Sequence, residues 1–222
     1  MIDAAEADIQ FSLDIIQTAT KSGDSSLVSL NFGLIIQDKL KVGLLHWRQK
    51  KSPITAFRQA LRFSNEAFDT LSKMGFKEAL DDEMDLHETI YAAYLIGEDH
   101  PAVNLEAVGE HVLASAFFGN VLIGAADIAD WPKYRDAIPN EKRYHLARRS
   151  NELYADLLAG RISPEKGIPL AEKLWEERED NHYFDTGCEG GGGDTDIYVD
   201  YRLGAILKKI GSTVPTIHAW VW

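Results

Sequence analysis

The chain has 222 residues, 45% of them apolar and 10% aromatic, with 35 acidic against 23 basic side chains and a formal net charge of -12. That length and apolar content suffice for a substantial core, in one domain or two closely packed halves, and argue against a disordered chain. The charge argues against nucleic acid as a partner, because binding phosphates needs clustered cations. A basic protein is the more natural complement.

Cys188 is the only cysteine. An internal disulfide and a thiolate zinc site are therefore excluded, and a reducing, intracellular location fits. Met1 to Thr20 lacks a basic flank followed by an apolar core, and the apolar-rich stretches are interrupted by Gly, Asp, Lys or Asn. A soluble cytoplasmic protein without a membrane span is expected.

Taken in order, Ala4 to Thr20 has helical spacing, with Phe11, Ile15 and Ile16 as its apolar side and Gly23 placed for a left-handed C-cap. A second helix starts near Ser25 or Ser26 and runs toward Lys50. Leu27, Leu30, Leu34, Ile35, Ile36 and Leu45 give it an apolar stripe wide enough for a central position. Ser52 and Pro53 open a third helix, seated by Phe57, Ala60, Leu61, Ala67, Phe68 and Leu71 and closed by Gly75.

Between Glu78 and Glu110 the chain carries ten carboxylates and no Lys or Arg. Leu80, Met84, Ile90, Ala93, Tyr94 and Leu95 run through this stretch at helical spacing. It is expected to form a helix from about Ala79 to Ile96 with an apolar inner side and an anionic outer side. Such a surface either attracts a cationic partner or serves only solubility. Asn104 to Ala125 reads as a further helix. Asp127 to Pro139, containing Trp131 and Pro132, reads as a loop or short helix. Asn140 can cap a helix through Gly160, and Ser163-Pro164-Glu165 opens another to about Asp180 whose end is strongly acidic. Four glycines, Gly190 to Gly193, interrupt the chain before a last helix over Tyr198 to Ile210. The tail carries Trp220 and Trp222, which favour docking back on the body. The predicted fold is all-α, an antiparallel bundle or irregular hairpin array of seven to eight helices. It is read as a single domain over residues 1–222 with a glycine-rich loop at 187–195.

Catalytic constellations are poorly supported. A di-iron bundle needs Glu and His three apart on two helices. Glu83/His87 and Glu141/His145 are four apart, and Glu110 precedes His111 directly. Asp194, Asp196 and Asp200 offer oxygen ligands, but Asp194 or Asp196 is more simply a helix N-cap. The glycine run lacks the Lys-Ser/Thr of a phosphate loop. Cys188 with His182 and Asp185 sits on a platform too flexible to hold a nucleophile in place.

Asp196, Tyr198, Asp200 and Tyr201, followed by an Ala/Leu/Ile-rich turn ending in Lys208-Lys209-Ile210-Gly211, form a pattern over the last third of the chain. It resembles the closing helix of the all-helical immunity proteins of bacterial polymorphic toxin systems, most of all the group that neutralises PoNe-type DNase toxins. The resemblance implies a one-to-one protein inhibitor of a basic toxin, with no catalysis and no cofactor. The implied contact residues are Asp81, Asp82, Glu83, Asp85 and Glu88, with Glu176, Glu177, Glu179, Asp180, Asp194 and Asp196 as a second group. The aromatic cluster before the last helix is thinner than in that family, and the glycine run is unusual. A metal-dependent enzyme using the Glu/His pairs, or a helical scaffold or regulator, stands as the alternative. Monomer and homodimer are both open.

Overall fold

The computed structural model describes residues 2–49, 51–75, 86–106, 108–137, 145–180 and 201–212. Within these, the side chains of 2–7, 44, 47, 48, 86–88, 110, 111, 145–147, 175–180 and 201 are not among those described. The described residues are all-α. In chain order the helices are α1 (Ile2–Ser22), α2 (Ser25–Arg48), α3 (Ile54–Lys73), α4 (Leu86–Ile96) and α5 (Glu110–Leu122). They continue with α6 (Trp131–Arg135), α7 (His145–Leu158), α8 (Pro164–Asp180) and α9 (Tyr201–Lys209), and a single 3-10 turn, Ile128–Asp130, precedes α6.

Local chemistry sets several boundaries. Gly23 has a positive φ of 79°, and the Asp24 amide donates to the Ala19 carbonyl at 2.9 Å, which turns the chain out of α1. Asp24 then caps α2 by accepting from the Leu27 amide at 3.0 Å. The helix read from Asn104 is shorter than its spacing predicts: α5 begins at Glu110. Asn104 accepts from the Glu106 amide at 3.1 Å, a local turn that competes with helix, and Gly109 is extended at φ -68°, ψ 157°. The segment from Gly97 to Gly109 is therefore loop, apart from residue 107, which lies outside the described residues.

The helices pack as a row. α1 packs chiefly on α2, α2 on α3, and α3 on α4. α4 packs on α5 and α9, α9 also contacts α5 and α7, and α8 packs chiefly on α7. One connected cluster of buried apolar residues runs through all of these layers, from Ile9 on α1 to Leu207 on α9. Phe117, Phe118, Trp131, Tyr134 and Tyr154 tie α5, α6 and α7 together, with ring centroids 4.7 to 6.2 Å apart. The last helix locks the centre. Lys208 Nζ donates to the Tyr94 and Leu95 carbonyls, each at 2.9 Å, and Lys209 Nζ donates to the Leu122 carbonyl at 3.0 Å. Two adjacent lysines thus serve the C-terminal ends of α4 and α5, where exposed carbonyls and the helix dipole favour a cation.

Thr89 to Ala93 on α4 are five consecutive buried residues; the carboxylates expected on its outer side, Asp81, Asp82, Glu83, Asp85 and Glu88, lie outside the described residues or have side chains that are not described. A helix wrapped by α3, α5 and α9 is apolar all round. On α1 the buried face is Ile9, Ser12, Ile16 and Ala19, which leaves Ile15 half-buried and Phe11 out in solvent. On α2, Val28, Phe32, Ile35, Ile36 and Leu40 are buried, whereas Leu27, Leu30 and Leu34 are exposed.

Candidate interaction surface

Phe11 is 68% exposed, Leu30 50%, Leu34 44% and Leu27 38%. They account for four of the six large apolar side chains that are exposed among the described residues, the others being Ile54 and Leu170. Leu27, Leu30 and Leu34 follow the i, i+3, i+7 spacing that aligns residues along one side of a helix, over about 10 Å of axis.

Burial lifts the Asp38 carboxyl above its ordinary range; Lys41 and Lys39 oppose the shift, and the Asp8 carboxylate adds to it. Phe11 and Ile15 follow Asp8 at i+3 and i+7, while Leu34 and Leu27 precede Asp38 at i-4 and i-11. Exposed Asp14, which accepts from Gln10 at 3.1 Å, flanks Phe11. Among the described residues neither Asp8 nor Asp38 forms an ion pair with Lys or Arg. Contiguous exposed apolar side chains edged by charge are what protein interfaces present, and scattered single ones are not.

None of the acidic contact residues picked out by the sequence has a described side chain. Asp81, Asp82, Glu83, Asp85, Asp194 and Asp196 lie outside the described residues. Glu88 is at the start of α4, and Glu176, Glu177, Glu179 and Asp180 are in the last turns of α8; their backbones are helical and their side chains are not described. Cys188, the glycine run and the Trp220/Trp222 tail also lie outside. The described part of the carboxylate run does reach the surface after α4. Asp99 and Glu106 are exposed, and Glu98 is half-buried and paired with Arg58 Nη2 of α3 at 2.6 Å. That loop is held by Asn120, a buried residue of α5 whose side-chain amide donates to the Val103 carbonyl at 2.8 Å and accepts from the Val103 amide at 2.9 Å.

A concavity of about 550 Å³ opens between α7 and α8 and is lined by Arg148, Arg149, Glu152, Asp156, Leu170 and Lys173 among others. Its charges are mixed, and Asp156 is bridged by Arg161 Nε at 2.6 Å, so it presents no field of one sign. Among the described residues no three His, Cys, Asp or Glu side chains come together as a metal site, and no helix is long and apolar enough to cross a membrane. The members of the Glu83/His87, Glu110/His111 and Glu141/His145 pairs lie outside the described residues or have side chains that are not described.

The row on α1 and α2 was missed by sequence reasoning, which assigned Phe11 and the three leucines to the core. One signal for it exists: α2 has more apolar positions than one buried face can use. Compared with protein family models, with characterised proteins and with solved structures, the chain finds no match.

Proposed function

We propose that this protein is a non-catalytic binding protein of the immunity type, which captures and neutralises a cognate basic toxin, by the resemblance a nuclease. The observation that carries the reading is the charge. Acids exceed bases by twelve, and ten carboxylates follow one another from Glu78 to Glu110 without a single cation. A field of that sign draws a cationic protein in and raises its association rate, and salt screens the effect. The first contacts are assigned to Asp81, Asp82, Glu83, Asp85 and Glu88, and the second group to Glu176, Glu177, Glu179, Asp180, Asp194 and Asp196. Nothing in this role requires a cofactor.

The experiment is co-expression of the full chain with the product of the adjacent upstream gene, followed by stopped-flow association at ~0.05 to ~0.5 M salt. A one-to-one complex with a basic protein is expected, with an association rate that drops steeply as salt rises and drops further for Asp82→Lys/Asp85→Lys. A complex insensitive to both salt and charge reversal overturns the reading. So does an acidic partner, or no complex at all.

A further inference from the structure

We propose that the leucine row of α2 is a self-association surface, on which a second copy of this chain docks antiparallel about a twofold axis. The association uses no residue of the acidic stretch from Glu78 to Glu110, so it goes beyond the capture of a basic protein, and either can fail without the other.

The spacing carries the inference. Leu27, Leu30 and Leu34 are exposed, and exposed Lys41 prolongs their line seven residues beyond Leu34. A recurrence of seven with an apolar residue three on is the seam along which two helices meet. α1 and α3 are the helices that chiefly pack on α2, and Val28, Phe32, Ile35, Ile36 and Leu40 are already buried. Rolling the leucines inward would bring those residues out, so shielding the row from water requires another surface.

The charges select the occupant. Exposed Asp24 stands at the Leu27 end, its carboxylate accepting from the Leu27 amide at 3.0 Å, and Lys41 stands beyond the Leu34 end. Exposed Lys21 lies near the first end, and half-buried Asp38 and Lys39 near the second, so each end carries both signs. A partner of a single sign therefore meets a like charge at either end. A second copy turned end for end meets unlike charges. With the twofold axis level with position 32, Leu30 of each copy faces Leu34 of the other. Asp24 of each copy is then level with Lys41 of the other to within one residue, ~1.5 Å of helix rise. The symmetry makes every such contact twice. The row is short, which places the dimer among small, readily dissociating interfaces.

The test is sedimentation velocity on the purified full chain over ~10 to ~500 μM, the range suited to a small interface. Salt is held at ~0.15 M, where the repulsion between two copies of net charge -12 is screened beyond ~8 Å. A sedimentation coefficient that rises with concentration from monomer to dimer is the expected result. Leu30→Asp, applied twice by the symmetry, weakens the dimer about 100-fold, and Lys41→Glu weakens it about tenfold, both with the wild-type melting temperature. The photo-crosslinker p-benzoylphenylalanine at Leu30 locates the contact, with the exposed Asn65 of α3 as the control position. Position 30 is expected to give a chain-to-chain product mapped to residues 31–38 of the other copy, and position 65 none. A monomer across the whole range, a dimer indifferent to Leu30→Asp, or crosslinking of position 30 to residues 213–222 of its own chain overturns the proposal.

Discussion

Asn120→Ala isolates a buried side chain that holds the middle of the acidic loop to the body of the protein. Asn120 is buried on α5, and its amide completes both the donor and the acceptor of Val103, at 2.9 and 2.8 Å. Removing it deletes two hydrogen bonds, each of net value about 1 kcal/mol, and leaves a half-buried backbone pair unsatisfied, so the loss comes to about 2–4 kcal/mol. The variant should lower the urea midpoint by roughly 1 M. Hydrogen exchange should speed up most in residues 98–106, because Val103 is the tether of a loop with no helix of its own. Asn120→Asp is the sharper control. It keeps the acceptor for the Val103 amide but sets an oxygen against the Val103 carbonyl and buries a charge, so it should destabilise at least as much as alanine. A loss below about 0.5 kcal/mol, the scale of an ordinary surface change, or exchange in 98–106 that matches wild type, refutes this account of the loop.

The exposed and buried faces of α2 should respond oppositely to substitution. Leu34→Gln should change stability by under about 1 kcal/mol, whereas Ile36→Ala should cost about 2–5 kcal/mol in chemical denaturation, and equal costs would mean that the face is wrongly assigned. At Gly119 an added Cβ would lie 2.5 Å from Ile90 Cγ2, so Gly119→Ala should destabilise by about 1–3 kcal/mol. Ile90→Leu, which removes that branch, should recover part of the loss in a double-mutant cycle, and strict additivity would contradict the contact. For pH, burial holds the His100 imidazole below its ordinary 6.5, against a smaller opposing effect of the Pro101 carbonyl 2.8 Å from Nδ1. A carbonyl only accepts, so Nδ1 carries the proton in the neutral ring and Nε2 is left as acceptor, 3.1 Å from the Thr89 hydroxyl. The unfolded chain binds this proton more readily than the folded one. Stability from His100 is therefore complete above 6.5 and lost as pH falls toward the folded value. His100→Gln should flatten that part of the stability–pH curve, and an unchanged slope counts against it.

The fold class and most helix ends were legible from the chain, because they depend on local chemistry. Gly23, Gly75, Gly97 and Gly211 adopt the left-handed conformation that ends a helix, and the last helix stops before Gly211 as its spacing implies. Ser163 likewise stands just before α8, and its hydroxyl holds the Glu165 carboxyl below its ordinary range. The helix expected from Asn104 starts only at Glu110, because the Asn104 side chain closes a local turn on the Glu106 amide and Gly109 is extended, while Asn120, seventeen residues on, pins the Val103 backbone just before it.

Which apolar residues are inside was settled only by tertiary packing. A helix such as α2, with leucine or isoleucine around nearly its whole circumference, gives no periodic signal of where its neighbours will sit. α1 and α3 bury its Ile35 and Ile36 side and leave Leu27, Leu30 and Leu34 with Phe11 in water. The same holds for α4, where three surrounding helices make Thr89 to Ala93 interior. Helix formation is decided within a few residues of chain, whereas exposure depends on which helices pack together, and that is written in no single segment.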